Sequence, residues 1–256
     1  MHNIIWKYYI QPAITLHTVF ASKFMAGLIV QLALSWLIIW LYEKGNLSVV
    51  GFRPTKRRLF DFTLFLVITA ACCASGFLMR MYFANEEWQL NRSITGASIL
   101  EAIWWNIKSV LFEELIFRGV LLYILIRKLG AVKAMILSSV AFGIYHWFSQ
   151  ELFGNPTQMA ITFLMTGIMG MLYAYGYVKT YSLYIPCAIH LGWNITQGFI
   201  FSQGATGKGL FVQQSPQTTV TVSYVTYFCI ILLPILSAWA INFILLWRRK
   251  QANHFS

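Results

Sequence analysis

The chain has 256 residues, of which 19 are Lys or Arg and 8 are Asp or Glu; 11% are charged and 58% are hydrophobic. A soluble globular domain averages about 25% charged. So few charges could not coat the surface of a 29.4 kDa domain without large exposed apolar patches. An ordinary soluble protein, a disordered chain and a secreted disulfide scaffold are thereby excluded, and a polytopic helical membrane protein remains. The net charge of +11 does not point to nucleic acid, because the basic residues cluster in short segments between apolar runs.

In chain order, residues 1–18 carry Trp6, Tyr8 and Tyr9 and read as an interfacial segment. Lys7, Pro12 and His17 interrupt any signal-peptide core. Seven hydrophobic spans follow, at about 20–42, 59–83, 99–126, 131–148, 158–178, 183–202 and 222–247, each long enough to cross a bilayer. The polar stretch 202–221 reads as the longest loop. Basic-rich and basic-poor loops alternate. Lys44, Arg53, Lys56, Arg57 and Arg58 come first, then Glu86, Glu87 and Arg92, then Arg127, Lys128 and Lys133, then Glu151, Lys179, Lys208 and the tail Arg248-Arg249-Lys250. This pattern predicts an all-α transmembrane bundle with its N-terminus outside and its C-terminus in the cytoplasm. The whole chain, 1–256, reads as a single integral-membrane domain, with a motif-bearing core at about 99–202. Cys72, Cys73, Cys187 and Cys229 show no metal or redox spacing and read as small buried apolar side chains.

Ionisable residues at membrane depth are costly and mark function. They form a small set here: Glu113, Glu114, Arg118, His146 and His190, joined by Asn194. Glu114 and Arg118 are four apart on one helix face, in the favourable order. Glu113 is rotated by about 100° and points elsewhere. His190 and Asn194 repeat the four-residue spacing, as do Phe142 and His146. Counted from the nearest basic residue at about 1.5 Å each, Glu113, His146 and His190 reach similar heights. Three helices could bring them to one site. Taken singly, each has a plainer reading: a structural ion pair for Glu114 and Arg118, interhelical hydrogen bonding for a lone His or Asn. His2, His17 and His254 fall at the ends of the chain, and Glu101 and Lys108 read as vestibule or snorkelling residues.

Together the segments Glu113-Glu114-Leu-Ile-Phe-Arg118, Phe142-Gly-Ile-Tyr-His146 and His190-Leu-Gly-Trp-Asn194 match E-E-x-x-x-R, F-x-x-x-H and H-x-x-x-N in order. In this the chain resembles the CPBP family of intramembrane proteases, the CAAX-protease and bacteriocin-processing (Abi) group. The resemblance implies hydrolysis of a peptide bond of a membrane-associated peptide or protein. Glu113 and His146 would activate a water, and His190 and Asn194 would stabilise the oxyanion. Glu114, Arg118 and Phe142 would support them. A metal-free water is favoured. A zinc site on Glu113, His146 and His190 is the alternative, and the family has been described as metalloprotease for that reason. A catalytically idle, peptide-binding immunity protein of the same fold is the competing function. The expected partners are a peptide or membrane-protein substrate and the lipid bilayer, with no nucleic acid, and the expected location is a bacterial plasma membrane. Pro186, four residues before His190, is expected to bend its span.

Overall fold

The computed structural model describes residues 17–202, 209–213 and 222–249. Residues 1–16 of the expected interfacial segment, and most of the polar stretch 202–221, lie outside the described residues. So do His2, His254 and the side chain of His17.

The described chain is a helical bundle. Its helices are α1 (His17–Glu43), α2 (Lys56–Phe83), α3 (Gly96–Arg118), α4 (Val120–Leu129), α5 (Ala131–Ser149), α6 (Pro156–Thr180), α7 (Tyr184–Ile195) and α8 (Tyr224–Trp247). A 3₁₀ turn covers Leu47–Val50. Four starts carry a side-chain cap. Thr55 accepts from Arg58 N, Asn155 from Gln158 N ahead of Pro156, and Ser223 from Thr226 N. Thr95 forms a reciprocal capping box with Ser98. Each cap satisfies one of the amide donors that a helix start leaves unpaired.

By length and composition α2, α5, α6 and α8 can each cross a membrane. The bundle is apolar outside: Leu34, Leu41, Leu164 and Leu236 are all more than half exposed. Glu114, Arg118 and Asn242 are fully buried. This placement fits an integral multi-pass protein, in which lipid takes the apolar surface and polar groups pair inside. Asn242 Nδ2 donates to Thr69 Oγ1 at 3.0 Å and so ties α8 to α2.

Three segments depart from the sequence reading. The expected span 99–126 is broken: α3 ends at Arg118 and α4 starts at Val120. Gly119 makes the break, and a Cβ there would lie 2.3 Å from the Leu115 carbonyl oxygen, so only glycine fits. The expected span 183–202 is α-helical only over Tyr184–Ile195. It then widens into a π-turn, Thr196–Ile200, and a short strand, Phe201–Ser202. That strand (β2) pairs in parallel with β3 (Phe211–Gln213), which pairs antiparallel with β1 (Trp88–Leu90). Pro186 does not bend α7. It is the third residue of the helix, where the missing N–H has no partner to lose.

Two smaller expectations also change. Cys229 is exposed on the outer surface. Lys108 is buried, its ammonium 5.1 Å from the Trp105 ring centroid.

The loops sort to two ends. At one end Arg127 pairs with Glu43, and Arg249 forms a two-pronged bond to Asp61 at 2.6 and 2.8 Å. There too Gly51, at φ +83°, packs against Tyr181 and Ser182 so closely that a Cβ would clash. At the other end β1 meets β3, and Asn91 Nδ2 donates to the Gly209 carbonyl at 3.0 Å. We call these the basic end and the sheet end.

Candidate active site

The site is built where α3, α5, α6 and α7 meet. At its centre is Arg118, the last residue of α3, fully buried. Its NH1 donates to Glu114 Oε1 at 3.1 Å and its NH2 to the Gly170 carbonyl on α6 at 3.1 Å. The guanidinium also lies 4.1 Å from the Phe142 ring centroid and 5.0 Å from that of Tyr173. A cation with no solvent contact is tolerable here because a carboxylate, a carbonyl and two aromatic faces surround it.

Glu114 has a second partner. Its Oε1 also accepts from His190 Nδ1 at 2.8 Å. Because a carboxylate has no proton to give, Nδ1 carries the hydrogen. The other ring nitrogen, Nε2, then faces Glu113, whose Oε2 is 3.8 Å away. That gap is too long for a direct hydrogen bond, and Glu113 Oε2 has no hydrogen-bond donor among the described residues. The two neighbouring glutamates thus flank one imidazole on its two nitrogens, as their offset of about 100° around the helix allows. Glu113 is 13% exposed where Glu114 is 0%, so Glu113 is the more accessible of the two.

His146, half-buried on α5, has its Nδ1 2.8 Å from the Phe142 carbonyl. A carbonyl only accepts, so here too Nδ1 carries the hydrogen and Nε2 keeps its lone pair. Phe142 sits between the histidines, its ring centroid 4.6 Å from His146 and 5.8 Å from His190. Tyr173 stacks on the other side of His190 at 5.0 Å and 16°.

Asn194 stands one helical turn from His190, at the wall of a cleft of about 230 Å³ shared with Asn106, Ser109 and Gln197. It therefore lies nearer the sheet end than Glu113 and His190. Ser109 lies one turn before Glu113 on α3, as Asn194 lies one turn after His190 on α7, so the cleft sits on the same helix faces.

Six of the seven sequence-derived residues therefore meet in one cluster, and Asn194 lies beside it. The sequence reading did not include Tyr173, Gly170 or the cleft residues Asn106, Ser109 and Gln197. Ser109 was within reach, lying four residues before Glu113 on the same face. Tyr173 and Gly170 lie in an uncharged span and carry no signal of their own.

The fit to a metal is incomplete. Both imidazoles hand Nδ1–H to an acceptor and leave Nε2 available, as metal-binding histidines do. Yet among the described residues no three His, Cys, Asp or Glu side chains converge closely enough to hold an ion.

Neither the curated proteins nor the solved structures gave a match to this chain. A family model did, over residues 95–196, a stretch that starts at the cap of α3 and contains Glu113, Glu114, Arg118, Phe142, His146, His190 and Asn194. Across those residues the chain is therefore similar to the type II CAAX prenyl endopeptidase Rce1-like family.

Proposed function

We propose that the protein is an intramembrane endopeptidase that hydrolyses a peptide bond of a membrane-associated peptide or protein, with Glu113 as the general base. The observation that carries this reading is Glu113 itself: a shielded carboxylate, one oxygen without a donor among the described residues, 3.8 Å from an imidazole nitrogen.

Charge counting assigns the protons. Glu113, Glu114 and Arg118 together carry one negative charge, and isolated charge is costly in a shielded site. One proton held between Glu113 and His190 neutralises the set. With that proton on His190, Nε2–H is a donor and Glu113 is free to act as base. A water within reach of Glu113 Oε2 gives one hydrogen to Glu113. Its other hydrogen bonds to His146 Nε2, which the Phe142 carbonyl keeps as an acceptor. The water oxygen attacks the scissile carbonyl as Glu113 takes the proton. The oxyanion that forms accepts from His190 Nε2–H and from the Asn194 side-chain amide, a charge-assisted stabilisation of the kind that dominates acyl transfer. Glu113 then returns the proton to the leaving nitrogen, and the C–N bond breaks. No step runs through a metal, since the described side chains do not converge on one.

The same reading includes seven membrane crossings, with α3 and α4 together forming one and α7 with its π-turn another. The N-terminus is outside, and the C-terminus is in the cytoplasm of a bacterial cell. It is supported by the loop contacts. Among the described residues the basic loops make their contacts at one end and the sheet lies at the other, as an odd number of crossings requires.

The test is cleavage of membrane-associated peptides by the purified chain in vesicles. Wild type should release product and Glu113→Gln should not, while both bind the peptide equally. Binding without turnover by the wild type would instead identify a peptide-holding immunity protein of the same fold.

A further inference from the structure

The basic end holds a second cavity, of about 660 Å³, at the junction of α2, α6, α7 and α8 and far from the Glu113 cluster. Its charged lining is Arg57, Arg58, Asp61, Lys179, Arg248 and Arg249. Asp61 is already committed, to Arg249 at 2.6 and 2.8 Å and to Arg57 at 3.4 Å. Arg58, Lys179 and Arg248 have no carboxylate partner among the described residues. The sequence explains why. All eight acidic residues are described, and only Glu43 and Asp61 lie at this end, with Glu43 taken by Arg127. Arg58 is partly pinned by its bond to the Arg53 carbonyl, and Lys179 leans on the Tyr175 ring at 5.9 Å. Both side chains are half-buried, so their positive field is less screened than that of a fully exposed residue.

From this we infer that the cavity is a binding site for a phosphate-bearing anion, drawn either from the headgroup of an acidic phospholipid or from free phosphate. Three features support the assignment. Uncompensated cations face a concave volume within the usual range for small-ligand sites, roughly 300–1,000 Å³. The lining includes guanidinium groups, whose fork matches phosphate oxygens. The cavity opens at the end where a seven-crossing chain meets the cytoplasmic leaflet, and basic pockets between helices at that level suit anionic headgroups. A bound phosphate would bridge the start of α2, the end of α6 and the end of α8, of which Asp61 joins α2 to α8 through Arg249. Scattered loop cations would explain the charge alone. They would not place it around one cavity.

The experiment titrates the purified full chain with phosphatidylglycerol, phosphatidylcholine and inorganic phosphate, following binding by native mass spectrometry and the thermal unfolding midpoint. Two triple variants are compared with wild type. Arg58→Gln with Lys179→Gln and Arg248→Gln empties the cavity of its unpaired cations. Lys44→Gln with Lys128→Gln and Lys133→Gln removes the same charge from the same end outside it. Phosphatidylglycerol should bind the wild type and raise its midpoint, and phosphatidylcholine should do neither. The cavity triple should bind on the order of a hundredfold more weakly, about fivefold per cation, and the control triple should match wild type. If inorganic phosphate reproduces the whole effect at the same variant dependence, the natural occupant is the free ion. If only phosphatidylglycerol does so, it is the headgroup. Equal weakening by both triples, or unchanged binding by the cavity triple, would overturn the site. Should the cavity triple fail to fold, Lys179→Gln and Arg248→Gln are tested singly, each with an expected loss of about fivefold and no loss counting against the site.

Discussion

His190 Nδ1 lies 2.8 Å from Glu114 Oε1, although 76 positions separate the two residues. The same oxygen receives Arg118 NH1 at 3.1 Å. One carboxylate oxygen thus fixes both the arginine that closes α3 and the orientation of the imidazole that faces Glu113. Substituting Glu114 has two consequences that can be separated. Glu114→Gln keeps the shape but removes the charge opposite a buried guanidinium, which should cost about 3–5 kcal/mol of stability. It also removes the carboxylate that orients the His190 ring and balances its positive charge when Nε2–H is the oxyanion donor, and kcat should fall by about 10²–10⁴ even in the molecules that remain folded. Unfolding midpoints and kinetics on the purified variant check both. Normal kcat in the folded fraction would refute the orienting role.

Gly170 offers a test that touches no proposed catalytic group. A Cβ there would lie 2.9 Å from Arg118 NH2 and 3.0 Å from the Phe142 ring. Gly170→Ala should therefore destabilise by about 1–3 kcal/mol, as overpacking does. Activity should fall with it, because Arg118 and Phe142 can give way only by disturbing Glu114 and the histidines they contact. Gly167→Ala is the control. Its Cβ would meet only the Ser139 carbonyl at 3.8 Å, and both properties should stay near wild type.

The helical class, the Glu114–Arg118 pair and the contact of Phe142 with His146, which is edge-to-face rather than stacked, were legible in the sequence, because each rests on the helical repeat within one element. The link from Glu114 to His190 was not, since spacing carries no information on which helices are neighbours. The break at Gly119 was missed because a glycine inside an apolar run is tolerated in many helices. What forbids any side chain there is a backbone approach of 2.3 Å. Pro186 misled for the opposite reason. Its effect depends on its distance from the helix start, and the boundary at Tyr184 was not legible. The strands of two or three residues are too short for a period-two pattern to register.

The seven-crossing reading predicts sidedness. With Cys229 replaced by serine, Asn85→Cys should react with a membrane-impermeant thiol reagent added to intact cells. Thr55→Cys should react only after the membrane is opened. Asn85 lies between α2 and β1 at the sheet end, and Thr55 caps α2 at the basic end. The reverse labelling pattern would sink the orientation and with it the cytoplasmic placement of the basic cavity.

Asn194 and the metal question are settled by one set of measurements. If the Asn194 amide and His190 Nε2–H hold the oxyanion, Asn194→Ala should lower kcat by about 10²–10³ with KM little changed. The wild type should purify without stoichiometric zinc and survive chelation. Zinc held through His190 Nε2 would give a different signature. Metal would be present in the wild type and absent from His190→Ala, and Asn194→Ala would stay near full activity, since an amide is a poor zinc ligand. The two outcomes also differ in Glu114→Gln. Loss of the Nδ1 acceptor weakens metal affinity by about 10–100-fold in a zinc site, so added zinc would restore activity. In the water-activating site added zinc should do nothing, because the missing group is the partner that keeps the proton on His190 Nδ1.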